Sequence, residues 1–346
     1  MDRRGFLTTA ATSVAAGAVT ACAKTPAPST STSAATSAVE AITTPKPDGL
    51  NPVGIRTAGI RMLPVMGGKY KVWTKRVGQG PVKVLLLAGG PGCSHEYLTA
   101  MESFLPEAGI EMIYYDQLGT GNADQPNDTS LWTLPRYVEE VEEVRKGLGL
   151  EQFVLYGHSW GGLLALEYAL KYQSHLRGLV ISDMTAGMQA YLKRTAALKQ
   201  TLPADKLAEL EALEAKQDYD SPAYERIMME ELYPKMICRI QPWPDPVNQC
   251  FRTLNQTIYN QMQGKSEFLV TGNLKDWERW DRLHDIKVKT LTIGAAHDEM
   301  DPADMQRMAA LIPGGTSVIC PNGSHMCMWD DQAYYFEHLL GFLKTI

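Results

Sequence analysis

The sequence predicts an α/β fold, a mostly parallel, doubly wound sheet with a mainly helical cap insertion. Three observations predict it. Short, nearly continuous apolar runs recur along the chain, amphipathic helical stretches separate them, and the alternation breaks off between residues 185 and 285 before it resumes.

Residues 51–78 read as short strands and turns, with 69–77 alternating well enough for an edge strand. Val82-Lys83-Val84-Leu85-Leu86-Leu87 follows and ends abruptly in Ala88-Gly89-Gly90-Pro91-Gly92. Such a run suits a strand buried on both faces of a parallel sheet. Three more runs lie at 110–115, 153–156 and 179–181, and helical patterns cover 97–107, 134–147 and 163–172. From 185 to 285 the apolar residues take helical spacing, as in 204–216 and 223–233, around a loop Gln241-Pro242-Trp243-Pro244-Asp245-Pro246. The sheet pattern returns at 288–293, followed by a helix at 302–311, a strand at 317–319 and a final helix at 331–343. The folded part therefore divides into a first core segment (51–184), a helical cap (185–285) and a second core segment (286–346). No internal repeat is visible.

The chain has 346 residues, 45% of them apolar, and a net charge of -6. No basic stripe is present, so nucleic acid is not an expected partner. Residues 1–22 differ from the rest. Arg3-Arg4 opens a twin-arginine pattern, and the weakly apolar stretch behind it is too short to span a bilayer, which marks an export signal. Val19-Thr20-Ala21-Cys22 resembles a bacterial lipobox, which would make Cys22 the lipidated first residue of a periplasmic or membrane-anchored lipoprotein. Cleavage nearby without lipid is the alternative, and the only expected membrane contact is through that anchor. Residues 23–50 are rich in Ala, Thr, Ser and Pro and read as a flexible tether. Export would expose Cys93, Cys238, Cys250, Cys320 and Cys327 to oxidation, with Cys238–Cys250 and Cys320–Cys327 as options for a disulfide. Neither C-x-x-C nor H-E-x-x-H occurs, so no metal and no cofactor is expected.

Gly157-His158-Ser159-Trp160-Gly161-Gly162 is a G-x-S-x-G motif placed between a strand and a helix. That context marks a nucleophile elbow and makes the expected architecture an α/β-hydrolase fold. A serine hydroxyl needs a base within hydrogen-bond reach, and the base needs an orienting carboxylate. In this fold the chain order is Ser, then acid, then His, each behind a strand. Asp298 follows one late run and His325 the next. Asp301, before Pro302, is the rival acid, with a helix cap as its other reading. Of seven histidines, His325 lies in the loop directly behind the last strand and His338 in the final helix, while His158 should turn into the elbow and pack. Acyl transfer places negative charge on a carbonyl oxygen, which two backbone N–H groups normally hold. Trp160, after the nucleophile, and Gly90, in the glycine loop, are the expected donors.

From about residue 69 onward the chain resembles the proline iminopeptidases and the related tricorn-interacting aminopeptidases. The resemblance is carried by Gly89-Gly90-Pro91-Gly92-Cys93-Ser94-His95-Glu96-Tyr97-Leu98, Tyr115-Asp116-Gln117-Leu118-Gly119-Thr120-Gly121 and the elbow. It extends to Glu267-Phe268, Thr271-Gly272-Asn273-Leu274-Lys275-Asp276-Trp277 and His325-Met326-Cys327-Met328-Trp329. It implies metal-free release of an N-terminal residue, often proline, from small peptides. It also implies that Glu267 and Glu299 hold the substrate's α-ammonium. One position departs: the family usually begins the loop with His, and here Ala88 stands there. Relatives of the same fold hydrolyse amino-acid amides or other small amides, and a carboxylesterase or lactonase is the third reading. A non-catalytic binding lipoprotein is a different class, against which the complete set of serine, acid and histidine argues.

Overall fold

The computed structural model describes residues 59–346. The twin-arginine pattern, Cys22 and the 23–50 tether lie outside the described residues.

Among the described residues eight strands form one sheet: β1 Ile60–Val65, β2 Tyr70–Val77, β3 Val82–Leu87, β4 Ile110–Asp116, β5 Phe153–His158, β6 Leu176–Ser182, β7 Thr290–Ala295 and β8 Thr316–Cys320. Their order across the sheet is β1-β2-β4-β3-β5-β6-β7-β8. β1 pairs antiparallel with β2 and β2 antiparallel with β4, and all later pairs are parallel. The strand expected at the edge from residues 69–77 is therefore second from it. Residues 60–65 supply the edge, pairing Leu63 with Val72.

Side chains alternate across the parallel strands as the pleat requires. Leu85 and Leu87 of β3, Ile113 and Tyr115 of β4, and Phe153 and Leu155 of β5 enter one core. It is covered by α1 Leu134–Leu148 and α2 Trp160–Tyr172. Val84 and Leu86, Met112 and Tyr114, and Val154 and Tyr156 enter the other, with Tyr97 and Leu98 packed on them. Both faces are buried, which is why these strands read as continuous apolar runs.

Residues 97–107 do not form the expected α-helix. Glu96–Ser103 is a 3-10 helix. Tyr97, Leu98, Ala100 and Met101 are its buried side chains, a three-residue repeat that suits three residues per turn, and Pro106 prevents extension. Between β6 and β7 lie six α-helices: α3 Met188–Lys199, α4 Ala204–Ala215, α5 Pro222–Ile227, α6 Tyr233–Met236, α7 Asp245–Thr253 and α8 Gln256–Met262. The two ends of this segment are zipped together: Met188 N–H donates to Trp277 O at 2.9 Å and Arg279 N–H to Ala186 O at 2.7 Å. The chain closes with α9 Pro302–Leu311, α10 Cys327–Asp330 and α11 Gln332–Leu343.

All five described cysteines are free thiols, so neither expected disulfide is formed. Cys250 of α7 faces Cys93 behind the glycine loop rather than Cys238.

Candidate active site

The sheet reverses its winding direction at β3, which lies between β4 and β5. Loops leaving the C-terminal ends of β3 and β5 therefore separate and leave a crevice, the usual binding position in open α/β sheets. Ser159 stands there. It follows β5 directly, with φ 56° and ψ -128°, a conformation that costs a non-glycine residue on the order of 1–3 kcal/mol. The turn is held by Ser159 N–H donating to Ser182 O at 2.9 Å and Gly162 N–H donating to Ser159 O at 2.7 Å. Its glycines are dictated by crowding. A Cβ on Gly157 would lie 2.0 Å from Gly161 O, and one on Gly161 would lie 2.1 Å from Leu87 O.

His325 and Asp298 meet behind the elbow, with Nδ1 and Oδ1 at 2.8 Å. Asp298 is fully buried and His325 nearly so. The acid loop is clamped by Arg194 of α3, which donates from Nε and Nη2 to Asp298 O at 3.1 and 3.0 Å. The histidine loop pairs with the end of α6 through His325 N–H to Met236 O at 2.9 Å. Asp301 is elsewhere: it caps α9, its Oδ1 accepting from Ala303 N–H at 2.9 Å.

His158 packs inward, as expected of it, and also connects two loops. Gly89 N–H donates to Tyr97 Oη at 2.7 Å, and Tyr97 Oη lies 3.0 Å from His158 Nδ1. His158 Nε2 lies 2.7 Å from His325 O. A carbonyl only accepts, so Nε2 carries the proton and Nδ1 accepts from the tyrosine. Burial, then the neighbouring His325, push His158 well below the usual histidine range, so it is neutral.

Gly90 and Trp160 flank the crevice, and among the described residues neither backbone N–H has an acceptor. Gln117 ties their surroundings together. Its Nε2 donates to Ala88 O at 3.1 Å, and its Oε1 accepts from Trp160 Nε1 at 2.9 Å. Ala88 contributes its carbonyl, which explains why the loop accepts alanine where histidine is usual in the family it resembles. Asp116 buttresses the same loop. Its Oδ1 accepts from His95 N–H at 3.0 Å and its Oδ2 from Asn122 N–H at 2.9 Å.

Glu299 and Glu267 form an acidic corner beside the base. Glu299 Oε1 lies 3.4 Å from His325 Nε2, and its Oε2 accepts from Tyr191 Oη at 3.3 Å. Glu267 Oε1 accepts from Tyr233 Oη at 2.7 Å and Tyr259 Oη at 3.0 Å. The two carboxylates feel each other: burial, opposed by His325 and reinforced by Glu267 and Asp298, pushes Glu299 up to about 7. Burial alone would lower His325, but Asp298 and Glu299 outweigh it and hold the imidazole at about 9. Asp298 and Glu299 thus favour the protonated imidazole, and Ser159 Oγ has no hydrogen-bond partner among the described residues. The arrangement offers a nucleophile, a base oriented by a carboxylate, two unengaged N–H donors and surplus negative charge close by.

Sequence reasoning missed the parts that support these groups: Tyr97, Gln117, Tyr191, Arg194, Tyr233 and Tyr259. Of these, Tyr97 and Gln117 lie inside motifs that could have pointed to them, whereas Arg194 and Tyr191 sit on a helix with nothing local to single them out.

A family model described as alpha/beta hydrolase fold matches residues 83–332. The proline iminopeptidase of Elizabethkingia meningoseptica is 44% identical over 292 residues, 82% of this chain and 98% of that protein. The crystal structure of VinJ aligns with a TM-score of 0.78 at 34% identity, covering 83% of this chain and 98% of that one. That of the proline iminopeptidase of Mycobacterium smegmatis aligns with a TM-score of 0.74 at 31% identity, over the same shares of the two chains.

Proposed function

This chain belongs to the proline iminopeptidase family of α/β-hydrolase-fold serine hydrolases, and from that premise we propose that it is an aminopeptidase releasing the N-terminal residue of peptides, proline by preference, through an acyl-enzyme on Ser159. The observation that carries the reading is the pair of carboxylates, Glu299 and Glu267, beside His325. An α-ammonium docked between them leaves only the first carbonyl of the peptide within reach of the serine.

The substrate also prepares the base. An ammonium on Glu299 removes that carboxylate's hold on His325, so the imidazole falls from about 9 toward the neutral range and turns Nε2 to the serine. His325 takes the Ser159 proton as the hydroxyl attacks. Asp298 stabilises the imidazolium, and Gly90 and Trp160 N–H groups receive the oxyanion. His325 then protonates the departing amine, and water, deprotonated by the same imidazole, releases the acid.

Steady-state hydrolysis of proline, alanine and leucine anilides, their N-acetylated forms and a short nitrophenyl ester tests this, with Ser159→Ala as the control. Turnover of free-amine anilides that disappears on acetylation, proline ranking first, is the expected result. Ester turnover indifferent to a free amine, with anilides untouched, would instead identify a general esterase. We further propose export by the twin-arginine route with lipid on Cys22, on the sequence of residues 1–22 alone. Fractionation of cells producing the full chain and its Cys22→Ser variant tests it: the variant should leave the membrane for the soluble exported fraction.

A further inference from the structure

Asp183 is a buried carboxyl to which the reaction above assigns no role. It follows β6 with φ 50°, pinned by its N–H donating to Ile293 O at 2.7 Å, and its side chain is fully buried. Its Oδ2 accepts from Ser182 Oγ at 2.7 Å and lies 3.2 Å from Cys327 Sγ, whereas among the described hydrogen-bond donors Oδ1 has only that thiol, at 3.5 Å. The Asp183 and Asp298 side chains lie within hydrogen-bond reach of each other. Asp298 has the complementary gap. Its Oδ1 serves His325, and its Oδ2 is buried with no N–H or hydroxyl donor reaching it among the described residues. Two touching carboxylates shut away from water do not both stay ionised. One proton between them removes the repulsion and fills the empty acceptor.

We propose that Asp183 is a positioning residue for the triad: a neutral carboxylic acid whose Oδ1–H donates to Asp298 Oδ2 while its own Oδ2 accepts from Ser182 and Cys327. The inference rests on the triad reading of Asp298 and His325. Held from both oxygens, the Asp298 carboxylate has one orientation, and His325 inherits it. The surroundings favour the neutral acid. His158 Nε2 is 3.7 Å from Asp183 Oδ2, yet this histidine is neutral and gives its proton to His325 O. Burial keeps the protons on Tyr156, Tyr335 and Cys327, and the Cys320 thiol faces the same carboxyl. Arg194 reaches the backbone oxygen of Asp298. Burial first, then the charge of Asp298, push Asp183 well above the carboxylate range.

Difference infrared spectroscopy of the D183N enzyme against the unaltered one, at neutral pH, reads the proton directly. Loss of one protonated-carboxyl C=O band is expected, and an unchanged region would overturn the proposal. Kinetics on proline anilide reads the role. D183N keeps an N–H donor and should lose no more than about threefold in kcat, while D183L, with no donor, should lose about 10- to 100-fold at near-constant KM. Equal losses in the two variants would overturn the donor assignment, and should D183L fail to fold, the spectrum and kinetics of D183N decide. D298N separates this inference from its premise. Full activity in D298N would sink the triad reading, whereas the band lost in D183N would still establish the neutral acid.

Discussion

The two halves of the site are made of different material. The half around Ser159 is backbone: glycines admitted by crowding at 2.0 and 2.1 Å, a serine with φ 56°, and two N–H groups without acceptors among the described residues. The half around Glu267 and Glu299 is side chain: two carboxylates held by Tyr191, Tyr233 and Tyr259, drawn from α3, α6, α8 and loops on either side of β7. Backbone geometry is local and leaves a contiguous trace in the chain. A side-chain pocket collects residues from distant segments, and its chemistry is free to change while the elbow stays the same.

The largest effect should come from breaking the backbone half. Ser159→Ala is expected to lower kcat by about 10⁴-fold or more on every substrate, amine-bearing or not, with the fold unchanged by circular dichroism. Breaking the side-chain half should be smaller and selective. Glu299→Gln leaves a bound ammonium with one of its two carboxylates, at about 2–5 kcal/mol, so kcat/KM for proline anilide should fall roughly 30- to 5000-fold. Turnover of a simple ester should not fall. If both substrates suffer alike, Glu299 serves the chemistry and the division into halves is wrong.

The subtlest test is a pH profile. His325 acts as a base only when neutral, so ester kcat/KM should rise with pH through the imidazole's value in the substrate-free enzyme, about 9. In Glu299→Gln a carboxylate that raises that value is gone, so the rising limb should move to lower pH and ester turnover at pH 7 should increase. A limb that stays in place would mean that Glu299 does not grip the base.

The same division explains what the sequence disclosed. The strands buried on both faces were legible because each is a continuous apolar run, and the elbow because its glycines are forced by contacts within a few residues. Asp298 and His325 were found from their order behind strands, a topological rule. Glu267 and Glu299 came only through resemblance, since nothing in their neighbours distinguishes them from solvated glutamates. Tyr191 and Arg194 left no trace, because a helix carries a tyrosine or arginine equally well whichever way it points. The misplaced edge strand and the 3-10 helix at Glu96–Ser103 have a related cause. Both depend on what covers an element, and alternation along a chain does not say what lies beside it.

The chain of contacts from Gly89 through Tyr97 and His158 to His325 gives the site the character of a two-ended lever. Whatever shifts the glycine loop also tugs the backbone of His325. A redesign that enlarges the acyl pocket by moving that loop would therefore detune proton transfer as a side effect.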